Sequence, residues 1–142
     1  MAERIIDVST VDLGGLFGEF DCHIKQLEKE LSVSVSCRDS VLKILGGEAE
    51  TDAAARAVHS MIKSLERGDA LSEQAITYII MMAKTGQEEA LRDLGQDCIC
   101  ITARGKPIKS KTLGQKEYIR AMNENTVVFG IGPAGTGKTY LA

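Results

Sequence analysis

Much that would anchor, cross-link or metal-load a protein is missing from this chain. Met1-Ala2-Glu3-Arg4 leads into no apolar signal core, and the longest apolar stretch, around Ala75 to Ala83, is too short to span a bilayer. No membrane partner is expected, and the protein reads as cytoplasmic. The cysteines, Cys22, Cys37, Cys98 and Cys100, show no C-x-x-C spacing, and His23 and His59 are the only imidazoles, so a structural zinc site is not expected. Reduced thiols are the default. Cys98 and Cys100 alternate with Ile99 and Ile101, which places them on one face of a strand.

What is present is ordinary in amount and unusual in arrangement. The 142 residues, 44% hydrophobic and 26% charged, fit one soluble globular domain or two small ones. The formal charge of −3 conceals an asymmetry: residues 1–103 hold 10 Lys/Arg against 18 Asp/Glu, and residues 104–142 hold 7 against 2, giving −8 and +5. The basic stretch, with Arg104, Lys106, Lys109, Lys111, Lys116 and Arg120, suits a polyanion. A solvated linker with helix-surface lysines explains it equally.

Gly132-Pro133-Ala134-Gly135-Thr136-Gly137-Lys138-Thr139 satisfies G-x-x-x-x-G-K-[ST], the phosphate-loop or Walker A pattern. The apolar, β-branched run Thr126-Val127-Val128-Phe129-Gly130-Ile131 has the form of a parallel strand buried on both faces. Lys138-Thr139-Tyr140-Leu141-Ala142 can open a helix whose first N–H groups point at a bound anion. In such a strand–loop–helix, Gly132, Gly135 and Gly137 are expected to take positive φ and let backbone N–H groups approach phosphate oxygens. Lys138 would sit between the β- and γ-phosphates, and the Thr139 hydroxyl would ligate Mg²⁺.

The first 103 residues read β-α-β-β-α with added helices. Ile5, Ile6 and Val8 suggest an opening strand. Asp21 is expected to cap a helix bearing Ile24, Leu27 and Leu31, with Phe20 on the same face as the residue preceding the cap. Ser32, Ser34 and Ser36 alternate with Val33, Val35 and Cys37, and Arg38-Asp39-Ser40 turns that strand back into Val41–Leu45. Thr51 is expected to cap a helix carrying Ala54, Val58, Met61, Ile62 and Leu65, closed by Gly68; Ser72 starts another through Ile76, Ile79, Ile80 and Ala83. A short helix over about Glu88–Leu94 and a strand over Cys98–Ala103 follow. Arg104-Gly105-Lys106-Pro107 reads as a turn or linker, and the domain boundary is placed there. Thr112-Leu113-Gly114-Gln115 opens a helix containing Tyr118, Ile119 and Met122.

The segment from Lys111 to Tyr118, Lys-Thr-Leu-Gly-Gln-Lys-Glu-Tyr, with Phe129 to Ala142, closely resembles the PhoH-like ATPases. Residues 1–103 resemble, less specifically, the KH-like amino-terminal domain of that family through Leu16-Phe17-Gly18, the Asp21 helix and the hairpin. The resemblance implies an α+β KH-like domain over 1–103, then over 104–142 a linker and the first strand, phosphate loop and helix start of an α/β P-loop NTPase domain. It implies an ATP-binding protein related to the nucleotide-binding half of superfamily one helicases, acting in RNA metabolism on single-stranded RNA or ribonucleoprotein. ATP and Mg²⁺ would be held by Gly132, Pro133, Ala134, Gly135, Thr136, Gly137, Lys138 and Thr139, with Lys138 and Thr139 also catalytic and oligomerisation through the complete ATPase domain. No acidic Mg²⁺ ligand, water-orienting group or arginine finger is identified, so these 142 residues alone are expected to be a catalytically incomplete ATP hydrolase.

By analogy with the glutamine motif of such helicases, Gln115 would bond the adenine edge; a Thr112/Gln115 capping box explains the same residues. A KH fold clamps single-stranded nucleic acid through a G-x-x-G loop. The corresponding loop here, Gly18-Glu19-Phe20-Asp21, carries two carboxylates that disfavour phosphate, and Gly15-Leu16-Phe17-Gly18 fits the same letters. Two other readings stay open: a KH-like RNA-binding or oligomerisation module, and a P-loop kinase or GTPase. The guanine-specific N-K-x-D is absent here but would normally lie beyond the end of this chain.

Overall fold

Alternating apolar and polar residues build the first sheet in the computed structural model, which describes residues 1–86, 98–105 and 107–142. Strands β1 (Ala2–Asp7), β2 (Ser34–Arg38) and β3 (Val41–Gly46) pair antiparallel in the order β1-β3-β2. Arg38 faces Val41, leaving Asp39 and Ser40 as a two-residue loop with φ of 49° and 61°. Two successive positive φ values match the right-handed twist of the strands they join. Ile6 lies opposite Leu42 on the inner face, where Leu42 and Ile44 are fully buried.

Between β1 and β2 the chain forms two helices where the sequence suggests one. Helix α1 (Leu13–Phe17) is capped by Asp12, whose Oδ1 accepts from Gly14 N–H at 3.1 Å. It ends at Gly18, with φ 72° and ψ 179°, a conformation reserved for glycine. A Cβ there would stand 2.7 Å from the His23 ring and 2.8 Å from Cys22 Sγ. Helix α2 (Cys22–Leu31) then buries Ile24, Leu27 and Leu31 as expected. The expected cap does not form: Asp21 has φ 60° and makes no side-chain cap bond, and Phe20 is 90% exposed instead of joining the apolar face. The single-turn 3₁₀ segment Glu19–Asp21, with Phe20 at φ 54°, turns both side chains away.

Helix α3 (Glu48–Glu66) packs beneath β1 and β3 and buries Ala54, Val58 and Met61, with Ile62 and Leu65 half-buried at its margin. It begins three residues before the expected cap. Gly47 is the N-cap, Glu48 and Glu50 favour the positive end of the helix, and Thr51 is fully buried with its hydroxyl donating to Gly47 O and Glu48 O. Helix α4 (Glu73–Thr85) starts where expected, with Ser72 Oγ accepting from Ala75 N–H at 3.2 Å, and buries Ile76, Ile79, Ile80 and Ala83. Arg56 Nη2 donates to Ala83 O at 2.8 Å and ties α3 to α4. Residues Met1–Glu88 thus form one compact unit, a small α+β domain with an antiparallel sheet.

The second unit, Glu89–Ala142, contains strands β4 (Cys98–Ile101) and β5 (Pro107–Lys109), paired antiparallel. This hairpin spans the expected boundary: Arg104-Gly105 is part of its turn, and the division between units falls at Glu88/Glu89. The helix expected over about 88–94 lies outside the described residues. Helix α5 (Leu113–Glu124) and the single turn α6 (Lys138–Leu141) complete the unit. Residues 126–131 form no strand, and Val127, Phe129 and Ile131 are 70%, 86% and 96% exposed. A buried parallel strand needs a neighbour on each side, and none pairs with this segment among the described residues. Among those residues no helix is long and apolar enough to cross a membrane.

Candidate functional site

Thr112 fixes the start of α5, its Oγ1 accepting from Gln115 N–H at 3.2 Å. That is the forward half of a capping box. Gln115 completes the reverse half one residue early, its Oε1 accepting from Lys111 N–H at 2.8 Å. Its Nε2 donates to Thr136 O at 3.1 Å, across 21 positions of sequence, so the glutamine reaches the glycine-rich loop as well. Tyr118, one turn further along α5, lays its ring against Gly130, where a Cβ would come within 3.1 Å of it.

Within the loop, Gly135 and Gly137 take φ of 76° and 83°, as the pattern requires. Gly132 does not have positive φ, contrary to the sequence expectation; the left-handed bends needed to curl the chain fall at the other two glycines. A Cβ at Gly135 would meet nothing within 4 Å, so this part of the loop is open. Lys138 folds back into the curl. Its ammonium donates to Gly132 O at 2.8 Å, Pro133 O at 2.7 Å and Thr136 Oγ1 at 3.2 Å, using all three protons. Thr136 Oγ1 itself donates to Pro133 O at 3.0 Å. Ala134 lies at the exposed tip, and Thr139 is exposed in the first turn of α6.

Every residue of the G-x-x-x-x-G-K-T motif and Gln115 therefore belongs to one local assembly. Chemically, it offers a point charge on Lys138, a hydroxyl on Thr139 beside it in sequence, and unobstructed backbone near Gly135. The flanking basic charge is partly offset: Arg120 Nε donates to Glu124 Oε1 at 2.9 Å in an exposed i,i+4 pair, and that bond raises the guanidinium pKa further. Sequence reasoning missed the carbonyls of Gly132, Pro133 and Thr136 as partners. No local pattern reports such contacts.

The second candidate, the Gly18–Asp21 turn, points the other way electrostatically. Glu19, Phe20 and Asp21 are all exposed, and the nearby cation Lys25 donates to Phe20 O at 2.7 Å. Gly15-Leu16-Phe17 lies in α1, with Leu16 fully buried, so the alternative G-x-x-G is not a loop.

The family model described as PhoH-like protein matches residues 107–142. A PhoH-like protein of Bacillus subtilis is 40% identical over 127 residues, covering 89% of this chain and 40% of the relative. One of Mycobacterium bovis is 38% identical over 138 residues, covering 96% and 39%, and one of Synechocystis is 28% identical over 127 residues, covering 89% and 39%. No solved structure matches. The chain spans about two-fifths of the length of these relatives. The family model thus matches the motif-bearing segment, and PhoH-like proteins at 38–40% identity are homologous to this chain over most of its length.

Proposed function

We propose that this chain is the nucleotide-binding beginning of an ATPase that acts on RNA or ribonucleoprotein. The observation that carries the reading is Lys138, held by Gly132 O and Pro133 O inside a loop whose bends fall at Gly135 and Gly137. A phosphate would replace those neutral acceptors with anionic ones, adding ion pairing to the hydrogen bonds of the ammonium. ATP with Mg²⁺ fits the residues present. The open backbone at Gly135 leaves room for phosphate oxygens, Lys138 would neutralise the β/γ-phosphates, and Thr139 would offer a hard oxygen to Mg²⁺. Gln115 keeps one N–H and one oxygen lone pair for an adenine edge.

In a protein of the relatives' full length, Lys138→Ala should lower ATP affinity about 10- to 100-fold, the effect of losing a charge-assisted bond, and should abolish hydrolysis. Fluorescent-nucleotide binding and phosphate release check this. Near-normal affinity and turnover would overturn the reading.

A second reading, a KH-like nucleic-acid module, draws support from the order β1-α1-α2-β2-β3-α3, which keeps the expected succession with one added short helix, and from the exposed Phe20 between α1 and α2. The net charge of −8 over residues 1–103 weighs against it. Those residues should bind single-stranded RNA only weakly, and binding that survives moderate salt would favour the module.

A further inference from the structure

The side-chain amide of Gln115 is oriented by its surroundings. Its oxygen faces Lys111 N–H at 2.8 Å and its nitrogen faces Thr136 O at 3.1 Å. Reversing the amide would set donor against donor and acceptor against acceptor, so the two bonds lock each other. The Gln115 backbone is fixed independently through Thr112 Oγ1 at 3.2 Å. Gly137 lies against the amide: a Cβ there would stand 3.4 Å from Nε2. Thr136 is the residue whose hydroxyl touches both Pro133 O and the Lys138 ammonium. The amide therefore grips the loop at the residue that also organises its lysine.

We infer that Gln115 is a positioning residue, one that ties the start of α5 to the glycine-rich loop through Thr136 and so strengthens the binding of any polyphosphate, whatever its base. This rests on the nucleotide reading for its ligand consequence but not for the tie itself. It differs from adenine recognition in what is lost with the side chain. A base reader discriminates ATP from GTP, whereas a loop tie acts on both and on a polyphosphate carrying no base at all.

The test has two arms. In the 142-residue chain without ligand, backbone ¹⁵N order parameters are measured for wild type, Gln115→Ala and Gln115→Glu. The glutamate keeps an acceptor for Lys111 N–H but cannot donate to Thr136 O. Both variants should lower the order parameters of Gly135 to Lys138, and Gln115→Glu should leave those of residues 113–124 at wild-type values. Unchanged loop order in both variants overturns the inference, as does loosening confined to α5.

In the second arm, a protein of full family length carrying Gln115→Ala is titrated with the Mg²⁺ complexes of ATP, GTP and tripolyphosphate. All three affinities should fall by a common factor of about 3 to 10, the effect of one neutral hydrogen bond. A loss for ATP alone overturns the inference in favour of base reading. If the wild-type protein binds none of the three, the nucleotide reading fails, and the first arm still decides whether the tie exists.

Discussion

The two units of this chain use their hydrophobic residues in opposite ways. Every buried hydrophobic residue among those described lies between Ile6 and Ala83, in the first unit. In the second unit, Val127, Phe129, Ile131 and Tyr140 are exposed, and α5 has no fully buried residue. One unit uses its apolar side chains for its own core, and the other leaves them exposed beside its glycine-rich loop. The difference teaches that the core and the proposed site are separate along the chain: the buried hydrophobic core lies within residues 1–86, and the proposed nucleotide site within residues 107–142.

The largest effect that tests this separation is a cavity in the first core. Met61 is fully buried on α3 beneath the sheet, and Met61→Ala should destabilise the first unit by about 2–5 kcal/mol in denaturant unfolding. Nucleotide affinity measured below the unfolding transition should not change. A parallel loss of affinity would break the comparison by showing that the loop depends on that core.

The open apolar segment gives an intermediate effect. Phe129→Ser with Ile131→Ser should lower the aggregation of the 142-residue chain, because exposed β-forming side chains pair with other chains. Light scattering over time at fixed concentration checks it. Unchanged aggregation would place the liability elsewhere.

The smallest effect is electrostatic. Arg4 Nε donates to Asp52 Oδ1 at 2.6 Å, joining β1 to α3, and this bond lowers the Asp52 pKa below the ordinary carboxylate range. A depressed folded-state pKa contributes stability that is present above the unfolded value and lost as pH falls through the folded one. Both side chains are substantially exposed, so the contribution is modest and salt-sensitive. Arg4→Met should lower stability slightly at neutral pH and low salt, flatten the acid limb, and leave stability below the folded-state Asp52 pKa nearly unchanged. An identical acid limb would show the pair to be inert.

Period and turn chemistry carried most of the first unit into view from the sequence. The strands, the helix at Ser72 and the stripes Ile24-Leu27-Leu31 and Ala54-Val58-Met61 all follow from which residues can be buried together. Caps were less legible: Asp12 caps a short helix of its own, Asp21 stands at the start of α2 without a side-chain cap bond, and Gly47 starts α3 ahead of Thr51. The strand at 126–131 failed for a different reason. Its pattern is that of a residue run between two neighbours, and a sequence pattern describes the run and not the neighbours. At the loop, the motif gave every side chain, while the bond from Gln115 to Thr136 depends on a fold-back that no spacing rule encodes.

The separation and the nucleotide reading meet in one experiment, a titration of the ¹⁵N-labelled 142-residue chain with Mg²⁺-ATP followed by amide chemical shifts. The account predicts saturable changes concentrated at Gly132, Gly135, Thr136, Gly137, Lys138 and Thr139 and at Gln115, absent in Lys138→Ala, with the first unit's core unmoved. Shifts centred on Gly18 to Asp21, or a response in Lys138→Ala equal to wild type, would contradict it.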